Sequence, residues 1–480
     1  MKVTRNPKSM AEKAEDYSLT CVPLEERKSG YALSMSPVGV ATALVVFAIG
    51  GFAVMLGGFW IGLIAGCCVA VLGFALGKMI GHMAFKSGLS STLTTRFYGF
   101  GVQGSSLASA IFAFMILGFL ALESALLYHG TLLMFSLEDT MLIRIGIYSL
   151  LTIAWILLAI FGLNLALKSS AIMTVLTLSV TIYLIYYIFV IQGNSFSTVF
   201  DFTGIVPGSS WTKFEASFAL MGGTAGTIAL LTSDFARYCR TGKDVTILAI
   251  SGPFVQNILT VVLGALVVIG SLPDIISYLM LQDPSLTGEA AQAAAGGFVM
   301  SNTGAYYVIL AGWAGFVTIY AAQAKAQAIN AYSGSLALVN LSDTLFGKRP
   351  GRAVMVVVGN MIALLMISAG ILDQFASWIS YLGCMTLGLC GVMIADFYVV
   401  RGMIPHSAED GVERWNWAGV ITLVTTTVIG CYLIMTGLFP LGFMVTFALT
   451  VIFYPVLRKL MPHGTATNVA DNDEALMETC

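Results

Sequence analysis

Long apolar stretches separated by short polar segments run from about residue 33 to residue 457. Each stretch has about 20 residues, the length that an α-helix needs to cross the hydrocarbon core of a bilayer. A transmembrane β-barrel would instead show short strands of alternating polarity. The pattern therefore predicts an all-α integral membrane protein with twelve transmembrane helices. We number the predicted spans one to twelve, in the order 33–55, 57–81, 103–128, 142–163, 170–192, 215–236, 246–271, 303–333, 353–371, 375–399, 416–436 and 438–457.

Composition excludes two other classes of protein. Only 10% of the 480 residues are charged, against about 25% in a typical soluble domain. So few charges cannot cover the surface of a soluble chain of this length, which excludes a soluble enzyme. A net charge of −2 lacks the basic footprint of a protein that binds nucleic acid. The partners that we expect are the lipid bilayer and a small-molecule substrate.

The basic residues predict the topology. If the N-terminus is cytoplasmic, 20 of the 23 lysines and arginines fall in cytoplasmic segments. The exceptions are Arg144 and Lys213 in outer segments and Lys325 within span eight. Cytoplasmic loops of membrane proteins are enriched in Lys and Arg. We therefore predict that both termini are cytoplasmic and that the protein lies in the cell (inner) membrane.

Twelve helices with short loops are typical of a secondary transporter. The chain has no GxxxxGK[ST] run, which is the phosphate-binding loop of many ATP-driven pumps. Its four histidines are dispersed along the sequence, so we identify no catalytic constellation and no metal or cofactor site. The prediction is a transporter and not an enzyme, with a passive channel as the remote alternative.

Two spans carry glycine pairs at corresponding places. They lie at 50–51 in span one and at 222–223 in span six, and the second pair is followed by Thr224 and Thr227. Paired interruptions in the two halves of a transporter indicate the binding site near the middle of the membrane. We therefore predict that Gly223 and the two threonines contribute to the substrate site.

Polar side chains on span eight share one helical face. Gln323, Gln327 and Asn330 follow each other at spacings of four and three residues, which places them on one stripe. Amides inside a membrane face a cavity or polar partners. We predict that they bind substrate, with hydrogen bonding between helices as the alternative.

Two ionisable residues lie within spans, Glu123 in span three and Lys325 in span eight. A charge at the centre of a membrane helix costs about 2.5–3.5 kcal/mol on insertion scales, so such residues indicate function. We predict a role in coupling for both. The alternatives are a carboxylate that reaches water at the outer end of span three and a lysine that extends toward the cytoplasmic interface.

Five segments resemble the nucleobase:cation symporter-1 family, which contains purine/cytosine permeases and hydantoin and allantoin transporters. They occur in the family's order and at its spacing. The segments are DYSLTCVPLEERKSG (16–30), FKSGLSSTLTTRFYGFGVQGS (85–105), TSDFARYCR (232–240), NAYSGSLAL (330–338) and IADFYVVRG (394–402).

The resemblance implies the LeuT-type fold, with two inverted repeats of five helices and with discontinuous helices one and six. It also implies how the chain is divided. The predicted regions are a cytoplasmic tail at 1–30, a transporter core at 31–400 with repeats at 31–192 and 214–400, two additional transmembrane helices at 401–460, and a cytoplasmic tail at 461–480.

Family members bind a flat heterocycle between aromatic side chains on helices three and six, beside polar groups on helices six and eight. The resemblance places Phe119 at the helix-three aromatic position, with Ile116 where a glutamine would be expected. The helix-six aromatic position carries Ala225. One stacking face therefore remains, and the substrate can be a ring other than cytosine.

Family members that use sodium hold it between helix-one carbonyls and helix-eight hydroxyls. The corresponding stretch here, AAQAKAQA at 321–328, has no Ser or Thr. Lys325 lies near the place where a hydroxyl ligand of sodium would be expected, and its ammonium group can replace the ion. We predict sodium-independent or proton-linked transport. The sequence leaves the choice between H+ and Na+ open, as it does the oligomeric state.

Asp234 and Arg237 end span six three residues apart. We predict a structural or gating contact, either between the two side chains or with the 85–105 segment. The predicted function is import of a nucleobase or related heterocycle (cytosine, purine, hydantoin or allantoin-like) by alternating access. A LeuT-type carrier for amino acids or another solute is the alternative, since the span-one glycines would expose amides to a carboxylate.

Overall fold

The computed structural model describes residues 21–161, 163–302, 304–372, 374–401 and 412–461. Within these ranges the fold is helical, and the only β contact is an isolated bridge between Lys28 and Cys239. The main helices are Gly30–Ala41, Leu44–Gly57, Phe59–Ser87, Gly101–Phe135, Met141–Phe161, Leu163–Tyr186, Ser210–Gly222, Ala225–Ala236, Gly242–Phe254, Thr260–Val268, Leu272–Gln282, Gly288–Ser301, Ala305–Phe346, Arg352–Ser368, Phe375–Ile394, Trp417–Met435 and Gly442–Leu460. The shorter helical segments are Leu24–Glu26, Ser91–Thr95, Arg96–Phe100, Tyr187–Ile191, Ser197–Phe200, Val255–Leu259 and Ala395–Val400.

The predicted all-α membrane fold is confirmed. Among the described residues, ten helices are long and apolar enough to cross a membrane, and eleven are if the bent pair in span one is one span. Predicted span nine is the shorter apolar helix Arg352–Ser368. The count of twelve stays a prediction, and we keep the span numbers as names for these helices.

Span one is discontinuous, but its break is not at the predicted glycines. Gly30–Ala41 and Leu44–Gly57 meet at 64°. The Thr42 hydroxyl donates to Val38 O at 2.9 Å and so closes the first helix locally. Ala43 is extended, which ends the helical path and directs the second helix away from the first.

The glycines at 50 and 51 lie inside the second helix of span one, where they permit close packing. A Cβ at Gly50 would lie 2.6 Å from Thr260 O, and one at Gly51 would lie 2.6 Å from Val268 Cγ2. Small residues let membrane helices approach closely. Both residues therefore hold span one against span seven, and assigning the interruption to them was wrong.

Span six is interrupted where the glycines predicted it. Ser210–Gly222 and Ala225–Ala236 are separate helices within one 27-residue segment. A Cβ at Gly223 would lie 2.5 Å from Ile379 O, so this glycine allows the backbone of span ten to approach the break. The interruption is milder than that in span one.

The spans differ in how much of their surface other spans cover. In the most apolar window of span three 83% of residues are buried, against 17% in span four. Spans six and ten resemble span three, and spans eleven and twelve are largely exposed. Spans three, six and ten therefore form the centre of the bundle, whereas spans four, eleven and twelve face lipid.

Part of the predicted N-terminal tail packs on the bundle. Lys28 N donates to Tyr238 O at 2.6 Å, and Gly30 N donates to Asp244 Oδ1 at 2.7 Å. These contacts fix the entry into span one against the end of span six and the start of span seven.

Candidate functional site

A narrow cavity lies beside the discontinuities of spans one and six. Aliphatic side chains of span one form one wall, and residues of spans three, six, seven and eight form the others. Its polar lining consists of Glu123, Thr224, Thr227, Gln256 and Asn330. Transporter substrates bind near the middle of the membrane where helices are discontinuous, so this cavity is the candidate substrate site.

Five of the predicted site residues line this cavity. Phe119 and Glu123 come from span three, Thr224 and Thr227 from span six, and Asn330 from span eight. The structure therefore brings together residues that lie more than 200 positions apart in the sequence. Their roles in transport remain predictions.

Glu123 and Asn330 contact each other in the lining of the cavity. Asn330 Nδ2 donates to Glu123 Oε2 at 3.3 Å, which is long for a hydrogen bond of this type. The glutamate side chain is only 1% exposed, so it does not extend to water at the outer end of span three. A buried carboxylate beside a cavity is a strong site for an N–H donor.

Gln256 is a lining residue that the sequence analysis did not select. Its Nε2 donates to Thr224 Oγ1 at 2.7 Å, and that hydroxyl donates to Met221 O at 2.7 Å. Thr227 Oγ1, by contrast, has no hydrogen-bond partner among the described residues. The adjacent amides Gln256 and Asn257 within apolar span seven were the available signal.

Two of the three predicted amides of span eight do not line the cavity. Gln323 Oε1 accepts from Leu44 N at 3.1 Å and caps the second helix of span one. Gln327 Nε2 donates to Leu120 O at 3.0 Å and to Ser124 Oγ at 2.9 Å. Their contacts are those of the alternative, hydrogen bonding between helices. Gly223 is also absent from the lining.

Lys325 is fully buried and does not extend toward the interface. Its Nζ donates to Thr42 Oγ1 at the break in span one and to Thr174 Oγ1 of span five at 3.0 Å. The ammonium group therefore joins spans one, five and eight at one point. It also interacts electrostatically with Glu123.

The aromatic wall of the cavity differs from a sandwich of two rings. Phe119 lines the cavity and contacts Trp378 of span ten edge-to-face, with ring centroids 5.1 Å apart. A Cβ at Gly118 would lie 2.1 Å from Trp378 Cζ2, so this glycine admits the indole ring. Trp378 therefore packs against the Phe119 ring and holds it in the wall of the cavity.

Asp234 and Arg237 lie outside the cavity. Asp234 Oδ1 accepts from Ser91 N at 2.8 Å, within the 85–105 segment. Arg237 Nη2 donates to the Tyr332 hydroxyl at 3.0 Å, and its Nε donates to Asp234 O at 3.1 Å. These contacts join the end of span six to span eight and to the segment before span three.

A second, larger cavity lies between spans three, four and nine. Its lining includes Tyr128 and Tyr148, whose rings are stacked 4.7 Å apart, and the ion pair of Asp139 with Arg144. It touches neither helix break, and we do not assign the substrate to it.

A helical membrane protein with a buried cavity at two discontinuous spans has the architecture of LeuT-type secondary transporters. No protein-family model matches the chain. The cytosine permease of Escherichia coli (strain K12) is 22% identical over 401 residues, which cover 82% of this chain and 84% of that protein. The chain is thus similar to transporters along most of its length.

Solved structures show the same fold. The inward-facing conformation of Mhp1 matches with a TM-score of 0.68 and 15% identity, covering 95% of this chain and 96% of that one. Mhp1 in a closed conformation with bromovinylhydantoin bound, described as a nucleobase-cation-symport-1 family transporter, matches with a TM-score of 0.67 and 16% identity over 98% and 100% of the two chains. A Na+-coupled sialic acid symporter matches with a TM-score of 0.62 and 13% identity over 96% and 97%. These similarities support the resemblance to the nucleobase:cation symporter-1 family.

Proposed function

We propose that this protein imports a nucleobase or a related small nitrogen heterocycle by alternating access. The observation that carries the proposal is the cavity at the two helix breaks, in which Phe119 stands beside Glu123 and Asn330. A planar ring gains about 1–3 kcal/mol by stacking on an aromatic side chain. Carboxylate, amide and hydroxyl groups around it supply the directional contacts that specificity requires.

The names of similar proteins support the same class of substrate. The relative in Escherichia coli is a cytosine permease, and Mhp1 has been solved with a hydantoin bound. The protein described here keeps one aromatic wall and has Ala225 on span six, so we expect a ring that is held more by its edge than by two stacked faces.

The alternative function, an amino-acid carrier, is no longer supported by the observation that favoured it. It required the glycines at 50 and 51 to expose amide groups, but both lie within a continuous helix packed on span seven. At the true break, Leu44 N donates to Gln323 Oε1 and is not available to a substrate carboxylate.

We further propose that transport does not require sodium. The Lys325 ammonium lies at the break in span one and already donates to the hydroxyls of Thr42 and Thr174. A sodium ion beside it would meet a like charge, and both hydroxyls that could hold the ion already accept a hydrogen bond from the ammonium. Transport then depends on the substrate gradient or on a proton.

The protein is a multi-pass membrane protein. We propose that both of its termini lie in the cytoplasm. With both termini in the cytoplasm, the two helices Leu272–Gln282 and Gly288–Ser301 lie on the outer side. We place it in the cell membrane, where import from outside is possible.

The test is uptake of radiolabelled cytosine, hypoxanthine and guanine in cells that lack their own carriers, in sodium buffer and in choline buffer. We expect uptake of at least one ring, competition by the unlabelled form of that ring, and equal rates in the two buffers. Competition by amino acids and by none of the heterocycles would exclude the proposed substrate class. Strict sodium dependence would exclude the proposed role of Lys325 and leave the substrate class standing.

A further inference from the structure

The carboxylate of Glu123 is only partly satisfied by the protein. Its Oε2 receives one long hydrogen bond from Asn330 Nδ2, and its Oε1 receives none from the described residues. Surrounding side chains of the cavity are largely aliphatic. In its ionised form a carboxylate has about four acceptor sites, and in that form this group faces the cavity with most of its capacity unused.

The other polar groups of the cavity also leave acceptors available. Gln256 Nε2 is already engaged with Thr224, and the Thr224 hydroxyl donates to its own helix. What remains is the carbonyl oxygen and one N–H of each amide, Gln256 and Asn330, and the Thr227 hydroxyl, which has no partner among the described residues. The cavity therefore offers more acceptors than donors, with the strongest acceptor at Glu123.

The charge of Glu123 does not require a cationic ligand. Lys325 interacts with it electrostatically, and the ammonium itself is held by two hydroxyls away from the cavity lining. An ionised Glu123 and the Lys325 ammonium together carry no net charge, so a neutral ring with N–H groups on one edge satisfies the site. A ring that presented a carbonyl edge would place acceptor against acceptor, which leaves buried polar groups unpaired at a cost of about 1–3 kcal/mol.

We propose that Glu123 selects heterocycles that present two adjacent N–H donors, a ring N–H beside an exocyclic amino group. This inference rests on the proposed function and makes its substrate class more specific. The two oxygens of a carboxylate match such a pair of parallel donors, as they match the fork of an arginine. Guanine and isocytosine carry this edge in their neutral forms, whereas hypoxanthine and 4-pyrimidinone have the same rings without the amino group.

The test is a thermal-shift titration of the purified full-length protein with these four rings. We expect guanine and isocytosine to bind about 10- to 100-fold more tightly than hypoxanthine and 4-pyrimidinone, the effect of one hydrogen bond to a charged group. In Glu123→Gln this preference should fall by about tenfold, because an amide presents one acceptor where the carboxylate presents two. Glu138→Gln, which changes an exposed glutamate outside the cavity, should keep the preference of the wild type.

The outcomes separate this inference from the function on which it rests. If the rings bind but the amino group makes no difference in the wild type, the role of Glu123 is overturned and the proposed function stands. If no heterocycle binds, both fail. A preference that survives in a folded Glu123→Gln protein also overturns the inference, and if that variant does not fold, the comparison of matched rings on the wild type decides alone.

Discussion

The Lys325 side chain stabilises the point where spans one, five and eight meet. Its ammonium donates to hydroxyls on two of these spans and belongs to the third. We predict that Lys325→Met lowers the uptake rate by about tenfold or more, because the thioether fills similar space but donates no hydrogen bond, and bonds to charged groups contribute about 1.5–3 kcal/mol. The measurement is initial uptake per amount of folded protein, with folding assessed by size-exclusion chromatography.

The matched control for this variant is Lys348→Met, because Lys348 is exposed after the end of span eight. It should transport at the rate of the wild type. Normal uptake by a folded Lys325→Met protein would show that the lysine has no part in the transport cycle.

The candidate site was partly predictable at the scale of residues. Helical periodicity correctly placed Gln323, Gln327 and Asn330 on one stripe, but it carries no information on what lies opposite each turn. In the fold, the first amide meets the break in span one, the second meets span three, and only the third reaches the cavity. Gln256 and Trp378 were missed because their importance depends on contacts between distant spans.

At the scale of elements, the contact of span one with span seven depends on a glycine. We predict that Gly50→Ala lowers the Tm by several degrees, because its Cβ would lie 2.6 Å from Thr260 O and overpacking costs about 1–3 kcal/mol. The nearest atoms are backbone atoms of span seven, which cannot move away from the added methyl group as a side chain could. The measurement is thermal unfolding of the detergent-solubilised protein.

Gly146→Ala is the matched control, since Gly146 also lies inside a helix but a Cβ there would meet nothing within 4 Å. Its Tm should stay at the wild-type value or rise slightly, as alanine is the better helix former. Equal effects of the two substitutions would contradict the packing role that we assign to Gly50.

The helices were predictable from hydropathy because lipid imposes one apolar length on every span. The break in span one was not predictable from hydropathy. Its second helix is capped by Gln323, which is 279 residues away from Leu44, so no local pattern marks it. The break in span six was predictable, because there the glycines themselves occupy the interruption.

For the whole molecule, the distribution of lysine and arginine predicts which end faces the cytoplasm. We predict that a cysteine at position 283 (D283C) reacts with a membrane-impermeant maleimide on intact cells, and that one at position 348 (K348C) reacts only after permeabilisation. Both positions are exposed. Labelling is measured by the mass shift of the purified protein.

The background for this experiment replaces Cys67 and Cys68, the exposed cysteines of span two, with serine. A variant with no added cysteine gives the level of unspecific maleimide labelling. Reaction of position 348 on intact cells, with none at position 283, would invert the topology and with it the proposed direction of transport.

The cation that joins spans one, five and eight is covalently part of the protein. A dissociable sodium ion entering with each substrate would gain about 2.3 kcal/mol per 100 mV of membrane potential. Lys325 cannot deliver this free energy, because its charge returns with the empty carrier in every cycle. Uptake of a neutral ring through this site alone would therefore be electrically silent, and accumulation against a gradient would depend on a proton that travels with the ring.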